Sequence, residues 1–456
     1  MTVPSRHSKM SILFTCPNEV LCMIAHQLRR VDLLAFRLTS RRVCNIIQPA
    51  FIKICFRTRY VMLQQRSLEN ILEISQHPSF SPAVRTLGIC VDYLRMILFD
   101  FSTPGVFWRR GRLRREREGS NHNWDVYEHL WDEQECTIHS GLAVLYLSRS
   151  FAAFKNLECL EITNAHRPWG AKAQKELTGS LPTNTIRSEE DFESISVVRQ
   201  AIYRVLISLV SVSSSLEELR ISVGNSGSMA VAPCMLEIPK PCLRYFRCRP
   251  VGISRLSLRI CPVDLNSEGN GWIPYLLDFI ALFIQLRELK LVFKPLVESE
   301  HFTELAQTLR VQHLRSLTIE GVHCTQDVMT GLLLGHRDTL EVVKLASVTM
   351  ADKGDSWKSL LCTMRDEFSI QSCIIADCAG ANGSVQYVLG GCDEGLQEEF
   401  EIRGNTDDWT TVIDKIMMLT DSGSVVDESE NIDVEDYDLG THTVTESTDR
   451  YTLQPV

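Results

Sequence analysis

Sixteen cysteines and twelve histidines are the side chains best able to do chemistry in this chain, and their spacing decides what they do. No Cys-x-x-Cys pair and no His-Glu-x-x-His occurs, so neither a zinc ribbon nor a zinc-hydrolase helix is encoded. Cys55, Cys90, Cys159 and Cys261 sit inside apolar runs, where a thiol behaves as a small hydrophobe. Scattered cysteines of this kind belong to a reducing compartment. His139, His313 and His336 read as core or surface residues. The run Gly224-Asn225-Ser226-Gly227-Ser228 lacks the last glycine of a nucleophile elbow, and no glycine-rich phosphate cradle occurs. The carboxylate pairs Glu217/Glu218 and Glu398/Glu399 are merely adjacent, with nothing beside them to shift their titration. The chain therefore reads as no enzyme, with no cofactor and no metal, and its chemistry is that of recognition.

Composition narrows the partners. The 456 residues carry a formal charge of −10 and are 44% hydrophobic, which suits a large buried core and argues against a nucleic-acid binder. One local exception is Arg109–Arg117, with six arginines in nine positions; flanking carboxylates from Glu116 to Glu135 make it a solvated loop before a phosphate-binding one. Residues 1–10 are polar, and the longest apolar run, around Leu276 to Ile284, is far short of the ~20 residues a membrane span needs. The expected location is the cytoplasm and/or nucleus, with no membrane partner.

Recognition needs a surface, and the first candidate is N-terminal. Pro17 opens a helix whose Val20, Leu21, Ile24 and Leu28 recur at helical spacing. Asp32 is placed to cap a second helix carrying Leu33, Leu34 and Leu38, and Thr39 or Ser40 a third that Pro49 should end. Three helices in under thirty residues are too small to bury a core alone, which suggests a docking unit.

These residues resemble the F-box. Pro17, Asn18, Glu19, Val20, Leu21, Ile24, Leu28, Asp32, Leu33, Leu34, Leu38, Arg41 and Arg42 fit its pattern in register, while Cys16 stands in the leading Leu slot, Thr39-Ser40 replaces Val-Cys and Val43 replaces a Trp. The form Leu38-Thr39-Ser40-Arg41-Arg42 is similar to that of filamentous-fungal F-box proteins. The resemblance implies a Skp-type adaptor as partner and, through it, a cullin. It implies adaptor contacts from Pro17, Val20, Leu21, Ile24, Leu28, Leu33, Leu34 and Leu38.

The remainder carries a recurrent Leu-x-x-Leu-x-Leu pattern, from Val84/Leu87/Ile89 to Leu340/Val343/Leu345, in seven copies. The last three begin 28 and 26 residues apart, at Leu286, Leu314 and Leu340, as leucine-rich repeats do. Aligning the copies places Glu161, Arg220, Ser257, Lys290, Thr318 and Lys344 in one outward row, and Cys159, Glu218, Arg255, Glu288, Ser316 and Val342 in another. Glu161, Glu218, Arg220, Glu288, Lys290 and Lys344 are accordingly the candidate contacts for a target protein. The expected fold is α/β, a small three-helix F-box followed by an irregular leucine-rich-repeat solenoid. The boundaries expected are 13–50 for the F-box; 51–370 for the repeats, with insertions at about 100–139 and 164–192, the latter a mobile loop; 371–419 for a closing segment; and 420–456 for an acidic disordered tail. Segment 51–56 reads as a strand and 409–419 as a helix. The function implied is substrate recognition in an SCF-type ubiquitin ligase. The alternatives are an adaptor-bound scaffold outside a ligase, or a repeat protein with nucleic-acid affinity through Arg109–Arg117.

Overall fold

The computed structural model describes residues 16–94, 123–165, 171–179, 192–212, 216–223, 230–249, 251–262, 271–352, 355–380, 383–387, 399–403 and 406–419. The arginine run 109–117 and the acidic segment 420–456 lie outside them.

Three helices come first: α1 (Asn18–Gln27), α2 (Arg30–Arg37) and α3 (Arg41–Phe56). Ser40 caps α3, its hydroxyl accepting from the Val43 N–H at 3.1 Å. Three expectations fail here. Asp32 lies inside the first turn of α2, paired with Arg29 at 3.0 Å, and Arg29 holds the cap position. Pro49 does not end the third helix, and segment 51–56 is helical rather than a strand. An internal proline costs about 3 kcal/mol. Ile47, Ala50, Phe51 and Cys55, spaced on one helical face, all bury against α1 and α2, and that burial offsets the cost.

A single residue, Arg57, then separates α3 from β1 (Thr58–Met62). The chain continues through α4 (Gln65–Gln76), β2 (Thr86–Cys90), α5 (Trp124–His139), α6 (Leu142–Ala153), β3 (Cys159–Thr163), α7 (Ala171–Thr178), α8 (Phe192–Val210) and β4 (Glu218–Ser222). It goes on with α9 (Lys240–Cys248), β5 (Arg255–Ile260), α10 (Ile273–Ile280), β6 (Glu288–Val297), α11 (Ser299–Thr308), β7 (Ser316–Cys324), α12 (Gln326–Leu334), β8 (Val342–Met350) and α13 (Ser356–Glu367). Strands β1 to β8 lie side by side in chain order, all parallel, in one open sheet.

The inward pairs are Leu87/Ile89, Leu160/Ile162, Leu219/Ile221, Leu256/Leu258, Leu289/Leu291, Leu317/Ile319 and Val343/Leu345, all buried. Helices α4, α6, α8, α10, α11, α12 and α13 cover them with Leu68, Leu147, Val205, Phe279, Phe302, Leu332 and Trp357. Parallel strands need such crossovers, and helices on one face bury alternate residues along most strands, although at the ends of β1 and β2 the other face is covered as well, at Met62 and Cys90. At each strand entry one carbonyl serves two successive N–H groups of the next strand. Glu217 accepts from Ser254 and Arg255, both at 2.9 Å; Ser254 accepts from Arg287 and Glu288 at 2.8 and 3.0 Å; Arg287 accepts from Arg315 and Ser316 at 2.7 and 2.9 Å.

The C-terminal part consists of β9 (Ser372–Ala376), β10 (Ala379–Gly380), β11 (Gly383–Tyr387), β12 (Glu399–Arg403), α14 (Thr406–Lys415) and β13 (Ile416–Leu419); β9 and β10 join β8 in parallel, and the strands beyond them pair antiparallel. Strand β12 pairs with β9, and β13 with β11. The helix expected over 409–419 thus stops at Lys415, because the β-prone Ile416-Met417-Met418-Leu419 completes a ladder with β11. The segment 164–192, expected to be a loop, contains α7, whose Ala171 packs beside Met62 and Cys90. Helices α6 and α9 were not expected: α6 is apolar on most sides, and α9, though strongly amphipathic, begins at Pro239 and Pro241, which read as a break.

Gly321 in β7 has φ +81°, and a Cβ there would stand 2.3 Å from the Phe293 carbonyl oxygen. That carbonyl belongs to a bulged stretch of β6 between Val292 and Val297 and cannot withdraw cheaply. Gly321→Ala is expected to cost about 2–4 kcal/mol, measured by urea denaturation of the full chain.

Candidate protein-docking surface

Side chains of the helical unit divide into two sets. Leu21 and Ala25 of α1, Leu33 of α2, and Val43, Ile47, Ala50 and Phe51 of α3 form its own core. Arg42 fastens the start of α3 to the start of α1, donating to the Cys16 carbonyl at 3.0 Å and to Asn18 Oδ1 at 3.2 Å. The guanidinium of Arg37 lies 4.1 Å over the Phe51 ring. The second set faces outward: Val20 (40% exposed), Met23 (68%), Ile24 (36%), Val31 (41%) and Leu38 (82%).

That exposure is concentrated. Of eleven exposed large hydrophobic residues among those described, five fall between Val20 and Leu38. Exposed apolar side chains concentrated in one small unit make a candidate protein contact, whereas the other six are spread over residues 145 to 334. The surrounding charge is also distinctive. Residues 16–56 hold six Lys/Arg against two Asp/Glu, a balance of +4 in a chain of −10. The surface is apolar with a basic surround, which suits an acidic partner.

The eight residues expected at this contact are therefore not equivalent. Pro17, Val20, Ile24 and Leu38 are exposed and available. Leu21 and Leu33 are fully buried inside the unit, so they hold it together and cannot be inserted into a partner. Leu28 and Leu34 are half-buried against the same core. Aliphatic spacing along one helix does not single out Met23 and Val31, whose exposure depends on where α3 packs.

The helical unit is joined to the sheet through Phe56, which packs against both cores. Its ring stacks on Phe80 at 4.2 Å and meets Phe51 edge-on at 5.9 Å, and Phe80 stacks on His77 at 3.8 Å. Arg59 occupies the position that Leu87 and Leu160 hold in the next strands. It donates to the Cys55 carbonyl at 3.2 Å, and burial, with nearby Arg30, lowers its pKa to about 10.

On the outward face of the sheet, Glu161, Arg220, Ser257, Lys290, Thr318 and Lys344 form one continuous row, each in register with the next. Much of its charge is satisfied internally. Arg220 grips Glu218 at 2.6 and 2.9 Å, and Lys344 stands 3.5 Å from Glu399. Glu288 and Lys290 are exposed and make no ion pair among the described residues. Tyr60 lies flat across Gly88, where any Cβ would come within 2.1 Å of its ring, and donates to Glu161 Oε2 at 3.3 Å. Only the register brings Tyr60 and Glu161 together, which is why spacing did not reveal the pair.

Burial pushes the Cys159, Cys324 and Cys378 thiols up to about 12, so each stays protonated. Among the described residues no cluster of His, Cys, Asp or Glu could hold a metal ion, and no helix is long and apolar enough to cross a membrane.

Residues 13–50 match the F-box domain, and the chain thus carries an F-box at its N-terminus. F-box domains bind Skp-type adaptors within SCF-type ubiquitin ligases, and the proteins that carry them are typically non-catalytic. No curated protein matches the chain.

Burial, and next the negative charge of Glu161, raise the Tyr60 pKa from 10.0 to about 12. The stability that Tyr60 contributes is complete below pH 10 and is lost as pH rises through about 12. Urea melts against pH should show that alkaline loss in the natural protein and a smaller one in Tyr60→Phe, the buried thiols and Tyr203 supplying the remainder.

Proposed function

We propose that this protein is the substrate-recognition subunit of an SCF-type ubiquitin ligase, with its F-box on the Skp-type adaptor and its sheet presenting a target. The observation that carries the reading is the apolar surface of Val20, Met23, Ile24, Val31 and Leu38, exposed on a unit whose own core is already complete. Burying each such side chain is worth about 1.5–3 kcal/mol, and four or five of them are enough for a stable complex. The parallel sheet is read as a divergent leucine-rich-repeat array, since each strand-helix unit contributes one inward apolar pair and stacks on the last. The target then lies on the outward rows, where Lys290, Glu288 and the Tyr60–Glu161 pair offer both charge and an aromatic surface. A protein bound there would be modified through proximity to the ubiquitin-charged enzyme, with no catalytic group from this chain.

One arrangement supports this reading over a scaffold outside a ligase. The F-box is packed directly onto the sheet through Phe56 and Phe80, with one residue between helix and strand, so a target would be held in a fixed direction from the adaptor. Ligase geometry needs that constraint, whereas a tether does not.

Met23→Asp together with Leu38→Asp should lower adaptor affinity at least 100-fold, measured by co-purification and calorimetry, while the melting temperature stays within a degree or two. Leu33→Asp should instead unfold the helical unit, visible as lost helical circular dichroism. Undiminished adaptor binding in the double variant would sink the docking assignment; adaptor recovered without cullin would favour the scaffold.

A further inference from the structure

Residues 238–262 carry six Lys/Arg and no Asp or Glu, in a chain whose formal charge is −10. Helix α9 lies inside this stretch, and its two faces differ. The inner face is anchored: Phe246 is buried and meets Tyr203 of α8 edge-on at 6.3 Å, and the Cys242 thiol stands 2.8 Å from the Tyr203 hydroxyl. The outer face presents Lys240, Arg244, Tyr245 and, one residue past the helix, Arg249, all exposed. Lys240 and Arg244 make no ion pair among the described residues, and Glu237, the nearest carboxylate in sequence, is already paired with Arg199 at 3.1 Å. Helix electrostatics disfavours this arrangement as it stands. Lys240 occupies the first helical position, at the positive end of the macrodipole, with no acidic residue in the first turn. Arg244 follows at i+4, a like-charge neighbour on the same face. A carboxylate laid across this turn would relieve both.

We propose that the outer face of α9 docks a short Asp/Glu-rich segment of another protein. Charge complementarity sets the partner's sign. Tyr245, 41% exposed with the Arg249 guanidinium 5.7 Å over its ring, adds the tyrosine–arginine combination in which protein contacts are enriched. The nine helical residues span about 13.5 Å, which matches about four residues of extended chain. That reach favours a peptide over a nucleic acid. Charges are screened beyond about 8 Å at physiological ionic strength, so a short segment meets only the field of α9. A long polyanion would also cross the surface of a chain with a formal charge of −10. The inference stands apart from the ligase reading, since α9 belongs neither to the F-box nor to the outward rows of the sheet.

The test uses the full chain and fluorescein-labelled octaglutamate, with octaglutamine as the uncharged control. Anisotropy titration at low salt should give octaglutamate a dissociation constant of about 100 μM or tighter, weakening as salt is raised, and should give octaglutamine none. Lys240→Gln together with Arg244→Gln should lower octaglutamate affinity about tenfold or more, while Lys175→Gln, at an exposed lysine on α7, leaves it unchanged. The double variant should keep the melting temperature and adaptor co-purification of the natural protein, since both side chains are exposed and lie outside the F-box. Absence of octaglutamate binding in the natural protein, or undiminished binding in the double variant, would overturn the proposal. Tighter binding of a single-stranded deoxythymidine octamer, lost in the double variant, would overturn it in favour of nucleic acid. Concentration-dependent self-association lost in the same variant would overturn it in favour of a second copy of the chain.

Discussion

From β2 to β8 each strand lays its inward apolar pair beside that of the next without a slip, from Leu87/Ile89 through Leu219/Ile221 to Val343/Leu345. A slip of one residue would turn every such pair to water and every outward residue into the core. The shared carbonyls at the strand entries hold that register at its starting edge, one carbonyl to two N–H groups. Helix burial and the outward rows inherit their positions from it.

An open sheet has ends, and the two ends are treated differently. At the far end antiparallel β12 covers β9, while Trp357 donates its Nε1–H to the Ala379 carbonyl at 2.9 Å and fixes the turn below β10. At the near end the helical unit packs on the main core through Phe56, which stacks on Phe80. Its last helix runs without interruption up to Arg57, and Arg59 substitutes a hydrogen-bonded guanidinium for the leucine of other strands. The F-box is thereby part of the sheet's termination rather than a bead on a tether. Its outward apolar residues remain unburied because its inward ones are fully used in its own core and at this junction.

Function follows from what the core leaves over. The helical unit leaves apolar area, which water disfavours and a partner helix can cover. The sheet leaves rows of charge, many of them already neutralised by neighbours such as Glu218 on Arg220, so the capacity for recognition is narrower than the count of charges suggests. Helix α9 leaves Lys240 and Arg244, whose charge no ion pair among the described residues answers.

The leucine pattern alone determined strands β2 to β8 and both outward rows, because a period of two assigns each residue to a face regardless of its neighbours, but it did not reach β1. It also determined the presence of the N-terminal docking unit, through spaced aliphatic residues. It did not decide which of those residues dock. Leu21 and Leu33 have the same composition and spacing signal as Val20 and Leu38, and only packing against α3 separates them. Nor did it reveal that α3 passes through Pro49, since burial of Phe51 and Cys55 outweighs a local preference that acts on one residue. Tyr60 meeting Glu161 across Gly88 joins residues 101 positions apart. Local sequence records the face a residue prefers; the distance between two such residues is set by the sheet that brings them together.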